Sequence, residues 1–401
     1  MMDRKNIVLA SVWMLVVSLP IGFLRADDKS AASDTKSPDA AATAPAKAKN
    51  ELSPEMTALR DLVRQTLAAH QKSAPNTQSN SPTEVLSYCL AYGCNTQMRL
   101  NNSDDQRING ITCLCYNYPC AGYEMLGYSQ KHIAPRIGYG YQERPGEFLA
   151  MLAMSRVKPD YPVRIGKDTR TVADVIEAEK LGCRLNTDQS LKLIGLSYYV
   201  DEPEWKNDLR DTWTIERLIQ EELAQPVVTA PEGGLNRLLG LSYAVDRREK
   251  RNEPIDGQYA RAKKYISDFQ DFAFQLQNTD GSWGPQFLAA RSDNRDLASQ
   301  LRSTGRILEW LTLSLPNDKL NDARVAKAVE NVARLLSSQQ YQWRVPSLST
   351  REIVSAGHAL HALNMYDQRV FQPMDTPAEK PAAEKAAPET ANRDTTAAPS
   401  R

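Results

Sequence analysis

Lys192-Leu-Ile-Gly-Leu-Ser-Tyr-Tyr-Val-Asp201 recurs 45 positions later as Arg237-Leu-Leu-Gly-Leu-Ser-Tyr-Ala-Val-Asp246. Seven of the ten positions are identical, and Lys192/Arg237 and Ile194/Leu239 exchange like for like. Both copies are apolar on more than one side, which marks a helix buried on most faces rather than one lying on a surface. Fixed periods of roughly 20–50 residues signal stacked repeat units, and this offset suits one helical hairpin. Each copy carries a mid-helix glycine, Gly195 and Gly240. Glycine inside a helix costs about 1 kcal/mol relative to alanine. Its presence at matching positions predicts helices that approach closely there.

Working outward, residues 145–154, 307–313 and 356–366 share the all-round apolar character of 191–200 and 235–245. Between them lie stripes with a polar reverse face. Tyr259, Ala262, Ile266, Phe269, Ala273 and Leu276 form one at helical spacing, and Val325, Val329, Val332 and Leu336 form another. Ile215, Leu218 and Ile219 begin a third, and Val172, Val175 and Ile176 a fourth. The chain thus alternates inner and outer helices. The expected class is all-α, an α/α toroid over 144–372, preceded by a Cys-rich cap segment over 83–143.

The remainder frames that body. In 401 residues, Lys+Arg and Asp+Glu number 49 each, which gives no basic footprint for nucleic acid. Arg4 and Lys5 precede an apolar run to Leu24, and Arg25-Ala26 leads into Asp27-Asp28. Residues 1–26 read as a secretory signal peptide or a retained N-terminal anchor. Either places the body outside the cytoplasm: periplasmic, secreted, or held on the outer face of the membrane. A membrane is a partner only if that segment is retained. Residues 27–82 read as a mostly disordered linker with one helix at about 53–71, opened by Ser53-Pro54. Residues 373–401 read as a disordered tail.

Gln277-Asn-Thr-Asp-Gly-Ser-Trp283 closes the stripe that ends near Leu276. It resembles the QW motif of terpenoid-cyclase and prenyltransferase toroids. In that reading Gln277 bonds free backbone groups at a helix end, Asp280-Gly281 turns the chain, and Trp283 covers the junction to the next inner helix. Gln340-Tyr-Gln-Trp343 looks like a degenerate second copy. From about Thr112 to Phe371 the chain also resembles a family of exported, uncharacterised toroid proteins of planctomycete bacteria. The resemblance rests on Asn109-Gly-Ile-Thr-Cys-Leu-Cys-Tyr-Asn-Tyr-Pro-Cys120, Pro145-Gly-Glu-Phe148, Gly240-Leu-Ser-Tyr-Ala244, Gly305-Arg-Ile-Leu-Glu-Trp-Leu311 and Gly357-His-Ala-Leu-His-Ala-Leu363. Some members carry an Arf-GAP label, which does not fit here. That activity needs a four-cysteine zinc finger with paired two-residue spacings, and this chain has none. The resemblance further implies Cys-Gly-Gly-Thr-His where this chain has Glu232-Gly-Gly-Leu-Asn236, and His where it has Arg306. A Cys/His site of the family would be largely lost in this chain.

Toroid inner helices run parallel, so their starts meet at one mouth. Glu147, Asn236, Arg306 and His358, each near an inner-helix glycine, are expected to converge there, on helix ends that favour anions. The plain alternative is that each caps its own helix. His358 and His361 are three apart; one core and one rim histidine fits better than a metal pair, since no third ligand is evident. Tyr198 and Tyr243 would line the wall, where rings and hydroxyls suit sugars. Cyclase chemistry needs an Asp-x-Asp-Asp acid, and the nearest string, Asn102-Ser-Asp-Asp105, lacks the first Asp. The six cysteines are Cys89, Cys94, Cys113, Cys115, Cys120 and Cys183. An even count in an exported chain favours disulfides of unread connectivity over zinc or free thiols. His132 is the one histidine near them. No cofactor or metal is expected. The leading functional expectation is a non-catalytic or degenerate toroid that binds a glycan, peptide or envelope component at its mouth. The rival is a polysaccharide- or lipid-acting enzyme with a Glu/Arg/His site.

Overall fold

The computed structural model describes residues 52–101, 103, 105–338 and 348–372. The N-terminal segment, the second QW-like copy, two residues of the Asn102–Asp105 string and the C-terminal tail lie outside them. Twelve α-helices dominate the described residues, with four antiparallel strand pairs. No described helix is long and apolar enough to cross a membrane.

Six helices are buried along most of their length: α2 (Pro82–Tyr92), α4 (Glu147–Met154), α6 (Ser190–Tyr199), α8 (Leu235–Lys250), α10 (Leu297–Ser314) and α12 (Thr350–Tyr366). Each packs on the next of the set, and α12 packs back on α2. The others are amphipathic. They are α1 (Pro54–Lys72), α5 (Val172–Leu181), α7 (Ile215–Leu223), α9 (Gly257–Leu276) and α11 (Ala323–Ser337). α5 lies on α6, α7 on α6 and α8, α9 on α8, and α11 on α10 and α12. The buried faces of α9 and α11 carry the stripes read from sequence: Tyr259, Ala262, Ile266 and Ala273 on one, Val325, Val329, Val332 and Leu336 on the other.

The repeated glycines sit where neighbouring helices touch. A Cβ on Gly240 would lie 2.4 Å from the Ser190 carbonyl oxygen of α6. One on Gly195 would lie 2.6 Å from Leu149 Cγ of α4. The repeat also carries a buried electrostatic tie. Lys192 Nζ pairs with Glu179 of α5 at 3.1 Å, and the matching Arg237 Nε pairs with Glu222 of α7 at 2.9 Å. Each glutamate also accepts a main-chain N–H at the start of the preceding inner helix. Gly146 N–H donates to Glu179 at 3.2 Å and Gln189 N–H to Glu222 at 2.7 Å. One outer-helix carboxylate therefore joins two successive inner helices in each unit.

The segment around Gln277 works as a junction. Gln277 Nε2 donates to the Gly281 and Arg324 carbonyls, both at 3.0 Å. Gly281 has φ +86, and a Cβ there would strike the Lys327 backbone at 2.5 Å. The buried Trp283 Nε1 donates to the Ala273 carbonyl at 2.7 Å, and its N–H donates to Thr304 Oγ1 of α10 at 3.1 Å. Asp280 accepts from Ser282 N–H at 3.0 Å. End of α9, turn, α10 and α11 are thereby tied together.

Three features depart from the sequence reading. First, the class is mostly helical, not purely so. β1 (Gln97–Arg99) pairs with β2 (Arg107–Asn109), β3 (Leu126–Ser129) with β4 (His132–Pro135), β5 (Pro162–Ile165) with β6 (Asp168–Thr171), and β7 (Trp205–Lys206) with β8 (Thr212–Trp213). The Gly166-Lys167 turn between β5 and β6 is a readable hairpin signal. The Gln130-Lys131 turn is not, because both residues take positive φ (49 and 72) without the usual Gly or Asn. Second, packing begins before residue 83. α1 buries Leu59, Val63, Thr66 and His70 and lies against α11 and α12. Residues 74–77 and 80–82, which read as linker in sequence, are buried, and their asparagines are satisfied internally. Asn76 N–H donates to Asn80 at 2.9 Å, and Asn80 donates to Glu84 at 2.9 Å. Third, α2 falls within the segment read as a cap, yet it packs between α12 and α4 as a member of the inner set. The stretch that follows it holds α3 (Gly110–Cys115), which packs on α2, and the first two strand pairs.

Candidate functional site

Residues from all six inner helices line a cavity of about 60 Å³. Its wall is aliphatic: Leu86 and Leu90 of α2, Ala150, Met151 and Met154 of α4, Leu191 and Ile194 of α6, Leu239 of α8, Val354 of α12. Its polar lining includes Glu147, Glu232, Asn236, Arg306 and His358, with Glu143 and Arg144 beside them. The four residues predicted to converge do line one cavity.

Their placement differs from helix starts in two cases. Glu147 is the first residue of α4 and Asn236 the second of α8. Arg306 and His358 lie about two turns inside α10 and α12, whose starts at Leu297 and Thr350 precede the apolar runs. Those first turns are polar in sequence, which hid them. The anion preference of helix N-termini fades beyond the first turn, so it does not reach Arg306 or His358.

Arg306 and Glu309 form a buried ion pair through Nη1 and Oε2. Asn236 Oδ1 accepts from Arg306 Nη2. Glu232 Oε2 lies 3.4 Å from Arg306 Nε. Glu309 also holds both histidines, with Oε1 at 2.8 Å from His361 Nδ1 and 3.0 Å from His358 Nδ1. His358 Nδ1 is 2.8 Å from Arg306 Nη1 as well. One nitrogen cannot donate to Glu309 and accept from Arg306 at once. The charge-assisted bond to the carboxylate is the stronger, and it leaves Nε2 for the cavity. His361 is buried and His358 partly exposed, one core and one rim histidine.

Charge and burial tune these groups in opposite ways. Burial alone would push the Glu309 carboxyl up, but His358 and Arg306 beside it hold it well below the usual carboxylate range. Burial works against the Arg306 charge, yet Glu309 and Glu232 raise its pKa above the ordinary value. Burial also opposes the charge of Glu232, and Arg306 and His358 overcome it to hold that carboxyl low. At Glu147 the Arg144 charge acts in the same sense but does not offset burial. Burial raises it to about 7, against hydrogen bonds from the Glu143 and Arg144 N–H groups at 2.8 and 3.4 Å.

Glu309 was missed by the sequence reading. The signal was present: a Glu three residues after Arg306 inside a run otherwise fit for burial. Tyr198 and Tyr243, by contrast, do not line the cavity. They fall in the last halves of α6 and α8, where Tyr243 OH donates to the Ala153 carbonyl at 3.4 Å and Tyr198 lies under the Arg247 guanidinium, 4.7 Å from its ring centre. His132 is 2.9 Å from Asp174 on α5, away from the cysteines.

A second cavity, of about 330 Å³, shares Arg144 and Asn236 with the first and is otherwise lined by residues such as Asp188, Gln225, Thr229 and Arg237. Arg237 faces it while committed to Glu222. Among the described residues no group of three or more His, Cys, Asp or Glu side chains is arranged to hold a metal ion. All six cysteines are unbonded thiols. No protein family model, curated protein or solved structure matches the chain.

Proposed function

We propose that this chain is an exported α/α toroid that binds a peptide or envelope component, through an aliphatic group seated in the cavity at the inner-helix mouth. The toroid reading is supported by the cyclic order in which α2, α4, α6, α8, α10 and α12 pack, and by the QW-like junction at Gln277–Trp283. The observation that carries the ligand class is the lining. Leu, Ile, Met, Val and Ala side chains form the wall, under a polar collar, and no Phe, Tyr or Trp ring is among the lining residues. Sugar sites use aromatic faces for stacking, so a glycan is the weakest of the three ligands expected from sequence. A mostly apolar pocket with a few convergent polar groups is the usual form of a binding site.

The collar favours binding over turnover. Both Glu309 oxygens are taken by Arg306, His358 and His361, and Arg306 is held by Glu309 and Asn236. Groups that satisfy one another fix a shape. The experiment is calorimetric titration of the full chain with trileucine and, separately, with cellotriose. Trileucine is expected to bind and cellotriose not to. Ala150→Phe, which fills the wall, is expected to abolish trileucine binding without loss of helical circular dichroism. Binding of cellotriose alone, or trileucine binding unaffected by the Phe, sinks the proposal.

One observation favours a second reading, an enzyme. Glu309 orients His358 from behind, and Glu147, poised near neutrality, lines the same cavity. A base and an acid of that kind could move a proton on a bound substrate. Turnover lost in His358→Gln, with binding retained, would favour it.

A further inference from the structure

We propose that Cys113 and Cys120 are the pair that this chain oxidises to a disulfide, with Cys89, Cys94, Cys115 and Cys183 left as thiols. The two sulfurs are 3.6 Å apart, in contact but unbonded. No other pair of cysteine sulfurs among the described residues comes within hydrogen-bonding distance.

The chain between the two is already folded back on itself. Tyr118 N–H donates to the Cys113 carbonyl, and Cys120 N–H to the Tyr123 carbonyl, both at 2.9 Å. Asn117 turns the chain with φ 55, and its side chain accepts from Leu126 N–H at 2.6 Å. In the folded chain these main-chain bonds hold Cys113 and Cys120 side by side, independently of any bond between their sulfurs. Bonding brings the sulfurs from contact to about 2.05 Å. Three of the other four thiols have contacts of their own. Cys94 donates to the Ser155 carbonyl at 2.8 Å, and Cys183 to the Glu179 carbonyl at 3.5 Å. Cys89 fills the space beside Gly110, where a Cβ would lie 2.6 Å from its sulfur.

The oxidant is a small-molecule disulfide such as glutathione disulfide. One cysteine thiolate attacks it, forming a mixed disulfide and expelling one glutathione thiolate. The second cysteine thiolate attacks the protein sulfur of that mixed disulfide and expels the other. Two protein thiols become one S–S bond, and the oxidant becomes two thiols that carry the two protons. Both sulfurs are buried in the folded chain, so the exchange belongs to folding, before the loop closes over them.

The test refolds the reduced, unfolded full chain in a glutathione disulfide/glutathione mixture, then blocks free thiols with iodoacetamide in denaturant. Chymotryptic cleavage after Tyr116 separates Cys113 and Cys115 from Cys120. Four alkylated cysteines are expected, with a bridged peptide two hydrogens lighter, whose fragment ions place the bond on Cys113. Cys115→Ser should retain the bridge, and Cys113→Ser should leave Cys120 alkylated. If Cys113→Ser does not fold, the fragment ions of the parent protein still distinguish Cys113 from Cys115. Six alkylated cysteines, or a bridge that uses Cys89, Cys94, Cys115 or Cys183, overturns the proposal.

Discussion

Arg306 and Glu309, one turn apart on α10, pair with 3% and 0% of their side-chain surface exposed. A charge pair this deep gains little over an apolar pair of equal volume, but breaking one half leaves an uncompensated buried charge, at a cost of about 3–5 kcal/mol. Arg306→Met should therefore destabilise by about that amount in urea unfolding. Arg306→Met combined with Glu309→Leu should cost less than Arg306→Met alone. Acid should act in the same direction as the single variant. Because the folded chain holds the Glu309 carboxyl below its ordinary 4.5, its contribution is present above that pH and is lost as pH falls through the lower folded value.

Glu147 carries the opposite sign. Its folded pKa, about 7, lies above the ordinary 4.5, so the folded chain binds a proton that the unfolded chain releases. Stability should fall as pH rises from about 4.5 to 7 and then level off. Glu147→Gln keeps an acceptor for the Glu143 N–H and removes the titration. At pH 8 it should be more stable than the parent by about 1–3 kcal/mol, and near pH 4 equal to it. Chemical unfolding at the two pH values checks this. An equal effect at both would mean the carboxylate is solvated.

The matched glycines differ in what stands against them. At Gly240 the obstacle is the Ser190 carbonyl, fixed backbone; at Gly195 it is the Leu149 side chain, which yields more readily than backbone. Alanine gains about 1 kcal/mol of helix propensity at either, and overpacking costs about 1–3 kcal/mol. Gly240→Ala should be clearly destabilising, and Gly195→Ala close to neutral. Thermal unfolding of the two variants gives the comparison.

The legible parts of the fold were those written in periodicity. The stripe from Tyr259 to Ala273 and the repeat at Lys192 and Arg237 show their faces directly, because burial demands apolar side chains at fixed intervals. Four distant polar residues, Glu147, Asn236, Arg306 and His358, could be grouped because each stands near a glycine in an apolar run. What stayed hidden was polar burial. Residues 74–82 look like linker because Asn, Thr and Ser look solvated until their partners are known, and Asn76, Asn80 and Glu84 supply one another. Glu309 belongs to the same class: its spacing from Arg306 is readable, but its two histidine partners on α12 are not. The tyrosines misled because Tyr198 and Tyr243 share inner helices with the cavity but stand one or two turns beyond its lining.

The tie between Glu222 and Arg237 offers the sharpest test of the repeat. Glu222 lies on α7 yet accepts Gln189 N–H and Ser190 OH at the start of α6, and Arg237 Nε of α8. Its carboxyl is fully buried, and burial raises its pKa despite the Arg237 charge. Glu222→Gln keeps an oxygen for the N–H but leaves Arg237, 5% exposed, without its anion. A cost of about 3–5 kcal/mol is expected. Glu179→Gln strands Lys192 in the matching unit. Lysine can shed its proton when buried, as arginine cannot, so this variant should cost less and should recover stability as pH rises. Urea midpoints of both variants at pH 7 and pH 9.5 decide it. Equal, pH-independent losses would mean that the two copies share sequence but not electrostatics.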